Sequence, residues 1–560
     1  WVAAEAPEVL ARFDAYRACA GQGMSPVEKS EALLVAAPWV GRFLGKLFGI
    51  EAELDRFRDT VRRNDPLWRF RKDFAKKRVL RADAGKTWKA GLDAAASVAK
   101  AALQSMTSAP IGGTTDEELT VIAAALPLID MDDVARKAAK SGGAQWTPEL
   151  RAQAGRVREA IAALALGPAD AITSGDDDDD AALGRTLAYA LDAIEAWLAA
   201  RRRDRADPVG RWVTMRAPKP LDYARLVDTE RPDATLPELL VGPHHERRQR
   251  TGFSLTDRRM SAREIEQEID YCMLCHDREK DSCSRGLVDA KTGAYKKNPL
   301  GVSLAGCPLE EKISEMHAMR KAGELLAAMA IIVVDNPMCP GTGHRICNDC
   351  MKACIFQKQE PVNIPQVETS VLTETLALPW GLEIYQLLTR WNPLNVARPS
   401  MRPYCGKDVL VVGLGPAGYT LAHHLACEGF GVVAIDGLKI EPLDPWLVAM
   451  GHSAPIPIED SSVLFGELAE RRLLGFGGVS EYGITVRWDK NFLTVVALTL
   501  ARNRHVKIYG GVRFGGTITL DDAWAMGFDH VAISAGAGRP TIIEMKNNLS
   551  RGIRKASDFL

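Results

Sequence analysis

Net charge, long hydrophobic runs and cysteine outside one segment are what this 560-residue chain has little of, and each shortage excludes something. Lys and Arg total 71 against 72 Asp and Glu. No global field therefore exists to recruit nucleic acid or an anionic membrane, and any basic contact must be local. The longest apolar run, Leu325 to Val334, is half of the ~20 residues that a membrane span needs, and no charged-then-apolar leader precedes it. A cytoplasmic protein with no membrane span is expected. Eight of the eleven cysteines lie between Cys272 and Cys354. Secreted disulfide domains are small and cysteine-dense throughout, so metal or cluster ligation is the better reading of so local a concentration. Cys19, Cys405 and Cys427 have no cysteine neighbours and read as core residues. At ~150 residues per domain, three or four domains are expected. The chain opens on Trp1 rather than Met and stops at Asp558-Phe559-Leu560, which suggests a fragment.

Composition divides the chain into a multidomain series. Residues 1–205 are rich in Ala and Leu and predict an all-α helical bundle, a candidate for partner docking. Ser25-Pro26 and Thr147-Pro148-Glu149 each place a capping hydroxyl before a proline at a first helical position. Leu33, Leu34, Ala37, Val40, Leu44 and Leu47 then follow at helical spacing. The acidic run Asp176 to Asp180 reads as a solvated loop before a helix over 181–203, and the basic, aromatic stretch Trp68 to Arg78 as an amphipathic helix face with snorkelling stems. Six prolines make 206–260 an irregular connector; His244-His245-Glu246 within it is assigned no role. Residues 261–400 read as a helical domain around the cysteines, with a helix over 262–271 and a second helical stretch over 309–334 between the two cysteine groups. Residues 401–560 read as an α/β Rossmann-like domain, in which strand 409–412, a glycine turn, helix 419–428 and strand 431–436 make one βαβ unit.

The cysteines run Cys272-x2-Cys275-x7-Cys283-x23-Cys307-Pro308, then Cys339-Pro340-x6-Cys347-x2-Cys350-x3-Cys354. Zinc favours paired CxxC knuckles, but the gap between Cys275 and Cys347 far exceeds the ~15 to 20 residues of a common ribbon. Simple buried cysteines would not cluster so heavily beside Gly306, Gly341, Gly343, Pro308 and Pro340. Eight thiolates suit two [4Fe-4S] clusters, each with four soft ligands, and flanking glycines let backbone N–H groups approach the sulfurs. Spacing alone leaves the partition between two cubes open. The second motif, Gly413-Leu414-Gly415-Pro416-Ala417-Gly418, follows a strand and opens a helix, and Asp436 stands 23 residues after Gly413. That is the context of a dinucleotide fold: the glycines admit a pyrophosphate to the helix N-terminus, and the acid takes ribose hydroxyls. The pattern does not separate FAD from NAD.

Tyr271-Cys-Met-Leu-Cys275, Gly306-Cys307-Pro308-Leu309, Asn336-Pro337-Met-Cys339-Pro340, Cys350-x3-Cys354 and 361–368 (PVNIPQVE) together resemble the N-terminal cluster domain of the glutamate synthase small subunit. The same module occurs in the N-terminal half of dihydropyrimidine dehydrogenase and in related NADPH-ferredoxin oxidoreductase subunits. Gly413 to Gly418 resembles that family's FAD fingerprint, Gly477-Gly478-Val-Ser-Glu-Tyr482-Gly483-Ile484 its flavin segment, and 531–537 the strand and turn that return to FAD. The resemblance covers about 262–560. It implies that Gly413, Gly415, Pro416, Ala417, Gly418, Asp436, Gly478, Tyr482, Gly483, Ile484, Val512, Ala535 and Gly536 hold FAD. It further implies that Cys272, Cys275, Cys283 and Cys354 hold one cluster and that Cys307, Cys339 and Cys350 serve the other, which in relatives a Gln or Glu near the position of Glu368 can complete; because this chain carries an extra thiol, Cys347 is expected as the eighth ligand, with Glu368 as the alternative. Cys347 and an insertion between Cys283 and Cys307 depart from the family pattern.

The resulting expectation is an NAD(P)H-linked FAD and iron-sulfur oxidoreductase, passing electrons between NAD(P)H and a ferredoxin-like or catalytic partner subunit. No acid-base or nucleophilic constellation is assigned. In relatives an NAD(P)H unit follows where this chain ends, so the nicotinamide site is expected outside this segment or on a second chain. Three alternatives stand beside it: a non-catalytic electron-relay subunit of a larger complex, a glutamate synthase small subunit proper, and a zinc-stabilised nucleotide-binding scaffold.

Overall fold

A computed structural model of the chain describes residues 2–560 apart from 82–87, 89–90, 113, 142–145, 167–178, 205, 244–257, 343–346, 449–453, 471–473, 479–488, 537–541 and 556–560. The described residues are mostly helical, with one small parallel sheet. They form two units, residues 59–219 and residues 1–58 with 220–560.

In the unit of residues 59–219, helix Asp180–Arg203 is the axis. Leu183, Leu187, Leu191, Ile194 and Leu198 recur along it at helical spacing, are buried, and pack on helices Leu92–Gln104, Glu117–Ser141 and Pro148–Ala162. Its start is capped by Asp179, whose carboxylate accepts from the amides of Ala181 and Ala182 at 2.9 and 3.1 Å; Asp176 to Asp178 lie outside the described residues. The basic stretch is an internal element. Phe70, Arg71, Phe74, Ala75 and Val79 are buried, Arg71 donates to the carbonyls of Val213 and Thr214 at 2.9 and 3.0 Å, and Arg78 pairs with Glu195 at 2.7 Å. Those charges are largely satisfied inside the unit, as an amphipathic face requires.

The other unit is built around helix Leu325–Asp335. All of its residues from Leu325 to Val333 are buried, which explains the apolar run as a core helix. No helix among the described residues is long and apolar enough to cross a membrane. Helix Pro26–Phe48 packs against it through Ala37, Val40 and Leu44, and its start has a full capping box: Glu28 N–H donates to Ser25 Oγ at 3.2 Å and Ser25 N–H to Glu28 Oε2 at 2.7 Å. The stretch 309–334 is two helices, Ile313–Lys321 and Leu325–Asp335, parted at Gly323, whose φ of +77° ends the first. Helices Ala262–Tyr271, Ile364–Leu376 and Gly381–Arg390 complete this layer.

The sheet has strands β1 (Asp408–Val412), β2 (Gly431–Ile435), β3 (Val506–Tyr509) and β4 (His530–Ile533) in the order β3-β2-β1-β4, every pairing parallel. Alternation sends Val409, Val411, Val432 and Ala434 to one core, with Tyr419 and Val496, and Leu410, Val412 and Ile435 to a second, with Ile518 and Ala523. The crossover helix is Pro416–Cys427. It begins three residues before Tyr419 because the fixed φ of Pro416 suits a first helical turn. Strand order reverses between β1 and β4, and the crevice at the carboxyl ends of such strands is where α/β sheets bind ligands.

Candidate cofactor sites

The first cysteine group is built by the end of one helix and two turns. Cys272 closes helix Ala262–Tyr271; Leu274 then takes φ +48° and Glu279 φ +52°, left-handed conformations that curl the chain back on itself. The curl aims the Leu274 N–H at Cys272 Sγ, 3.5 Å away. Cys272, Cys275, Cys283 and Cys354 line one small cavity, about 20 Å³, with Ile313, Phe356, Val362 and Ile364 as its apolar wall. Backbone amides of Ile355, Phe356 and Val362 point at Cys354. Burial pushes the Cys272 thiol up to about 12 and Cys275 to about 11, and it drives Cys283 well above the ordinary thiol value. Burial outweighs the amides and Arg278 that favour the thiolates of this group, and N–H groups directed at sulfur beside an apolar wall are surroundings that would suit thiolates neutralised by iron.

The second group is Cys307, Cys339 and Cys350, drawn within electrostatic reach of two carboxyls, that of half-buried Glu311 and that of buried Glu368. Amides of Leu309 and Glu311 point at Cys307. Glu368, on helix Ile364–Leu376, accepts from Asn336 Nδ2 at 3.0 Å. Burial and then the charge of Asp335 raise Glu311 to about 7, and burial and then the charge of Glu311 raise Glu368 well above the ordinary range. Cys347 is exposed, accepts from the Asp349 amide at 3.5 Å and lies within reach of Cys350. All eleven cysteines are free of disulfides. As placed, no three Cys, His or carboxylate donors among the described residues stand in metal-ligand geometry around one point.

Four contacts join these parts. Cys307 N–H donates to the Cys283 carbonyl at 2.9 Å, tying one group to the other. Gly306, at φ +80°, sits so close to Gly286 that a Cβ would overlap the Gly286 nitrogen. On the far side, Gly341, two residues after Cys339, is packed against the ring hydroxyl of Tyr419, one turn into the helix that follows the fingerprint, where any Cβ would collide with it. Tyr385 Oη also donates to the Pro337 carbonyl at 2.5 Å. The second cysteine group thus abuts the nucleotide fold directly.

A cleft of about 730 Å³ opens at the β1/β4 switch point. Gly413, Gly415, Pro416, Ala417, Asp436, Gly478, Val512, Ala535 and Gly536 all line it, joined by Gly437, Arg513, Phe514 and Ser534. Gly413 has φ +96°, and a Cβ there would stand 2.5 Å from the Ser534 carbonyl oxygen. Gly418 acts on the turn from outside the lining: a Cβ on it would overlap the Gly413 carbonyl. Asp436 is pinned across the turn, its carboxylate accepting from Leu414 N–H at 2.8 Å and Leu438 N–H at 2.9 Å. Val512 N–H donates to the Asp436 carbonyl at 2.9 Å. Tyr482, Gly483 and Ile484 lie outside the described residues, as do His244, His245 and Glu246.

Sequence reasoning missed Glu311, Arg513 and Phe514. Glu311 falls four residues after Cys307 in a segment with no helical repeat to flag it, and it gains meaning only from the fold that brings it within electrostatic reach of Glu368.

No protein-family model matches this chain. It is 52% identical over 223 residues to an uncharacterized protein of Rickettsia prowazekii, covering 40% of this chain and 31% of that protein. A second uncharacterized protein of the same organism is 33% identical over 82 residues, 14% of this chain and 28% of its own length. The glutamate synthase [NADPH] small chain of Mycobacterium tuberculosis is 24% identical over 257 residues, 46% of this chain and 42% of that protein. The chain therefore spans about a third of the length of the first of these relatives and less than half of the last. This is a distant similarity to an oxidoreductase subunit.

Proposed function

We propose that this chain is an FAD and iron-sulfur oxidoreductase module that passes electrons between NAD(P)H, through the flavin, and a partner protein, through two [4Fe-4S] clusters. The observation that carries the reading is the direct packing, in series, of two separate groups of buried and half-buried thiols and a nucleotide cleft at a switch point. The distant similarity to a glutamate synthase small chain supports the same chemistry. When bound, flavin exchanges electrons in pairs or singly and each cluster carries one.

The chain's own residues do the positioning. Cys272, Cys275, Cys283 and Cys354 would hold the first cluster, and Ile313, Phe356, Val362 and Ile364 exclude water from it. Cys307, Cys339 and Cys350 would hold the second. Their fourth partner in this reading is Glu368, buried and within reach of all three thiols, in preference to the exposed Cys347. Gly413 and Gly415 admit a pyrophosphate to the start of helix Pro416–Cys427, and Asp436, held by two amides, keeps an oxygen lone pair for ribose hydroxyls.

Iron, sulfide and flavin analysis of anaerobically purified protein, followed by titration with NADPH and NADH, tests the reading. About eight irons and one FAD per chain, with bleaching by a nicotinamide, is the expected result. The same cofactors without bleaching would make the chain an electron-relay subunit whose nicotinamide site lies on another polypeptide, and stoichiometric zinc in colourless protein would overturn the proposal.

A further inference from the structure

The segment between Cys283 and Cys307 is an ordered lobe. Leu287 N–H donates to the Leu304 carbonyl at 2.9 Å, Lys296 N–H to the Leu287 carbonyl at 2.8 Å, Leu304 N–H to the Lys296 carbonyl at 2.9 Å and Asn298 N–H to the Val302 carbonyl at 3.0 Å, so three short extended pieces pair edge to edge. The lobe is clamped at its root by the contact of Gly286 with Gly306 and of Tyr295 with Gly286. Its two ends are a proposed ligand of the first cluster and a proposed ligand of the second.

Two properties of the lobe are unexplained by folding. It carries Arg285, Lys291, Lys296 and Lys297 against the single acid Asp289, a net charge of +3 in a chain whose total is −1. Asp289 is engaged in its own turn, accepting from the amides of Lys291 and Thr292 at 2.9 and 3.1 Å, with Lys296 nearby. Apolar side chains are also left in solvent there: Val288, Tyr295, Leu300 and Val302 on the lobe. Beside the thiols themselves, Met273 and Ile355 are 40% and 42% exposed while lining the first cysteine cavity. Positive charge beside exposed apolar groups, on a lobe whose root follows Cys283 of the first cysteine group, is the pattern that steers and then seats a protein of opposite sign.

We infer that this lobe is the docking surface for a small, acidic one-electron carrier protein, which meets the chain at the first cysteine group. The inference rests on the electron-transfer reading above. The charge sign selects the partner: an acidic carrier is drawn in, and a basic one is repelled. Exposure of Met273 and Ile355 lets the carrier approach the thiols without any opening of the fold.

The test uses the full protein, reduced with dithionite and freed of excess reductant, mixed in a stopped-flow instrument with an oxidised acidic [2Fe-2S] ferredoxin of the plant type, and separately with a basic c-type cytochrome. The K291E/K296E/K297E variant lies on the surface and leaves all cysteines in place; its iron, flavin and reduction potentials should match the parent. The parent should reduce the ferredoxin about tenfold or more faster than the variant at low salt, the gap closing as salt rises, and the variant should gain on the cytochrome. The neutral K291Q/K296Q/K297Q variant should fall between. Equal ferredoxin rates for parent and variants, a faster parent reaction with the cytochrome alone, or no ferredoxin reduction by protein carrying iron and flavin would each overturn the docking inference alone. Protein without iron and flavin would instead overturn the electron-transfer reading and the inference with it.

Discussion

Cys307 donates its backbone N–H to the carbonyl of Cys283 at 2.9 Å across a 24-residue separation. One thiol-bearing residue of each group is thereby fixed to the other by a main-chain bond, with Gly286 and Gly306 packed directly beside it. Two redox centres held this way would keep a constant spacing, because main-chain geometry is insensitive to side-chain rotamer changes. It also means that damage to one group can reach the other through the backbone, which bears on how cysteine variants are chosen.

Cys283→Ser keeps the backbone bond and removes one thiol. Iron should fall from about eight to about four per chain, with flavin content unchanged, as expected if Cys283 is one of four ligands of a single cube. Iron analysis with low-temperature EPR of the reduced protein checks this; two intact cluster signals would show that the assignment of Cys283 is wrong.

In the proposed ligation Glu368 and Cys347 compete for one role; Glu368 is buried and Cys347 exposed. Glu368→Gln should alter the EPR signal and lower the stability of the second cluster, since a carboxylate near three thiols is replaced by a neutral amide. Cys347→Ser should leave iron content and both signals unchanged. The reverse pattern assigns the ligand to Cys347.

Gly413→Ala places a Cβ on a residue at φ +96°, 2.5 Å from the Ser534 carbonyl. The turn must shift to accept it, at about 1–3 kcal/mol, and the shift moves the backbone that would face the pyrophosphate. Purified variant should contain little flavin while retaining its iron, measured by absorbance after acid release.

His317 is fully buried, and burial alone depresses its pKa to about 3; neither ring nitrogen has a hydrogen-bond partner. In the unfolded chain an imidazole titrates near ~6.5. Between those values the unfolded state binds a proton that the folded state does not, so the contribution is fully present above about pH 6.5 and is lost as pH falls toward 3, at on the order of 1 kcal/mol per pH unit. His423, depressed to about 3 by burial and then by the neighbouring His424 and arginines, acts with the same sign. Urea unfolding at pH 7 and pH 5 should show a smaller loss for His317→Gln than for the parent.

Much of the site is legible in the sequence because its signals are local. The glycine turn, the acid 23 residues on and the Ser25 and Thr147 caps each depend on neighbours within a few turns, and the structure places Gly413, Asp436 and both caps as those neighbours dictate. Contacts between distant segments left no such trace. Nothing in the composition of the first 58 residues shows that Ala37, Val40 and Leu44 pack on helix Leu325–Asp335, since an Ala- and Leu-rich face fits many apolar partners. The pairing of Glu311 with Glu368 was hidden for the same reason, while the gathering of Cys354 with Cys272 across 82 residues was legible through the family resemblance alone, spacing having left the partition open. The helix break at Gly323 was missed because the apolar pattern continues across it.

The central claim is that flavin and both clusters share electrons within one chain. An anaerobic reductive titration, followed by absorbance and EPR together, tests it most directly. The account predicts uptake of about four electrons per chain, two by the flavin and one by each cluster, with cluster and flavin signals equilibrating between additions. Uptake of two electrons by flavin alone, or clusters that stay oxidised while the flavin is fully reduced by a donor of low potential, would contradict it.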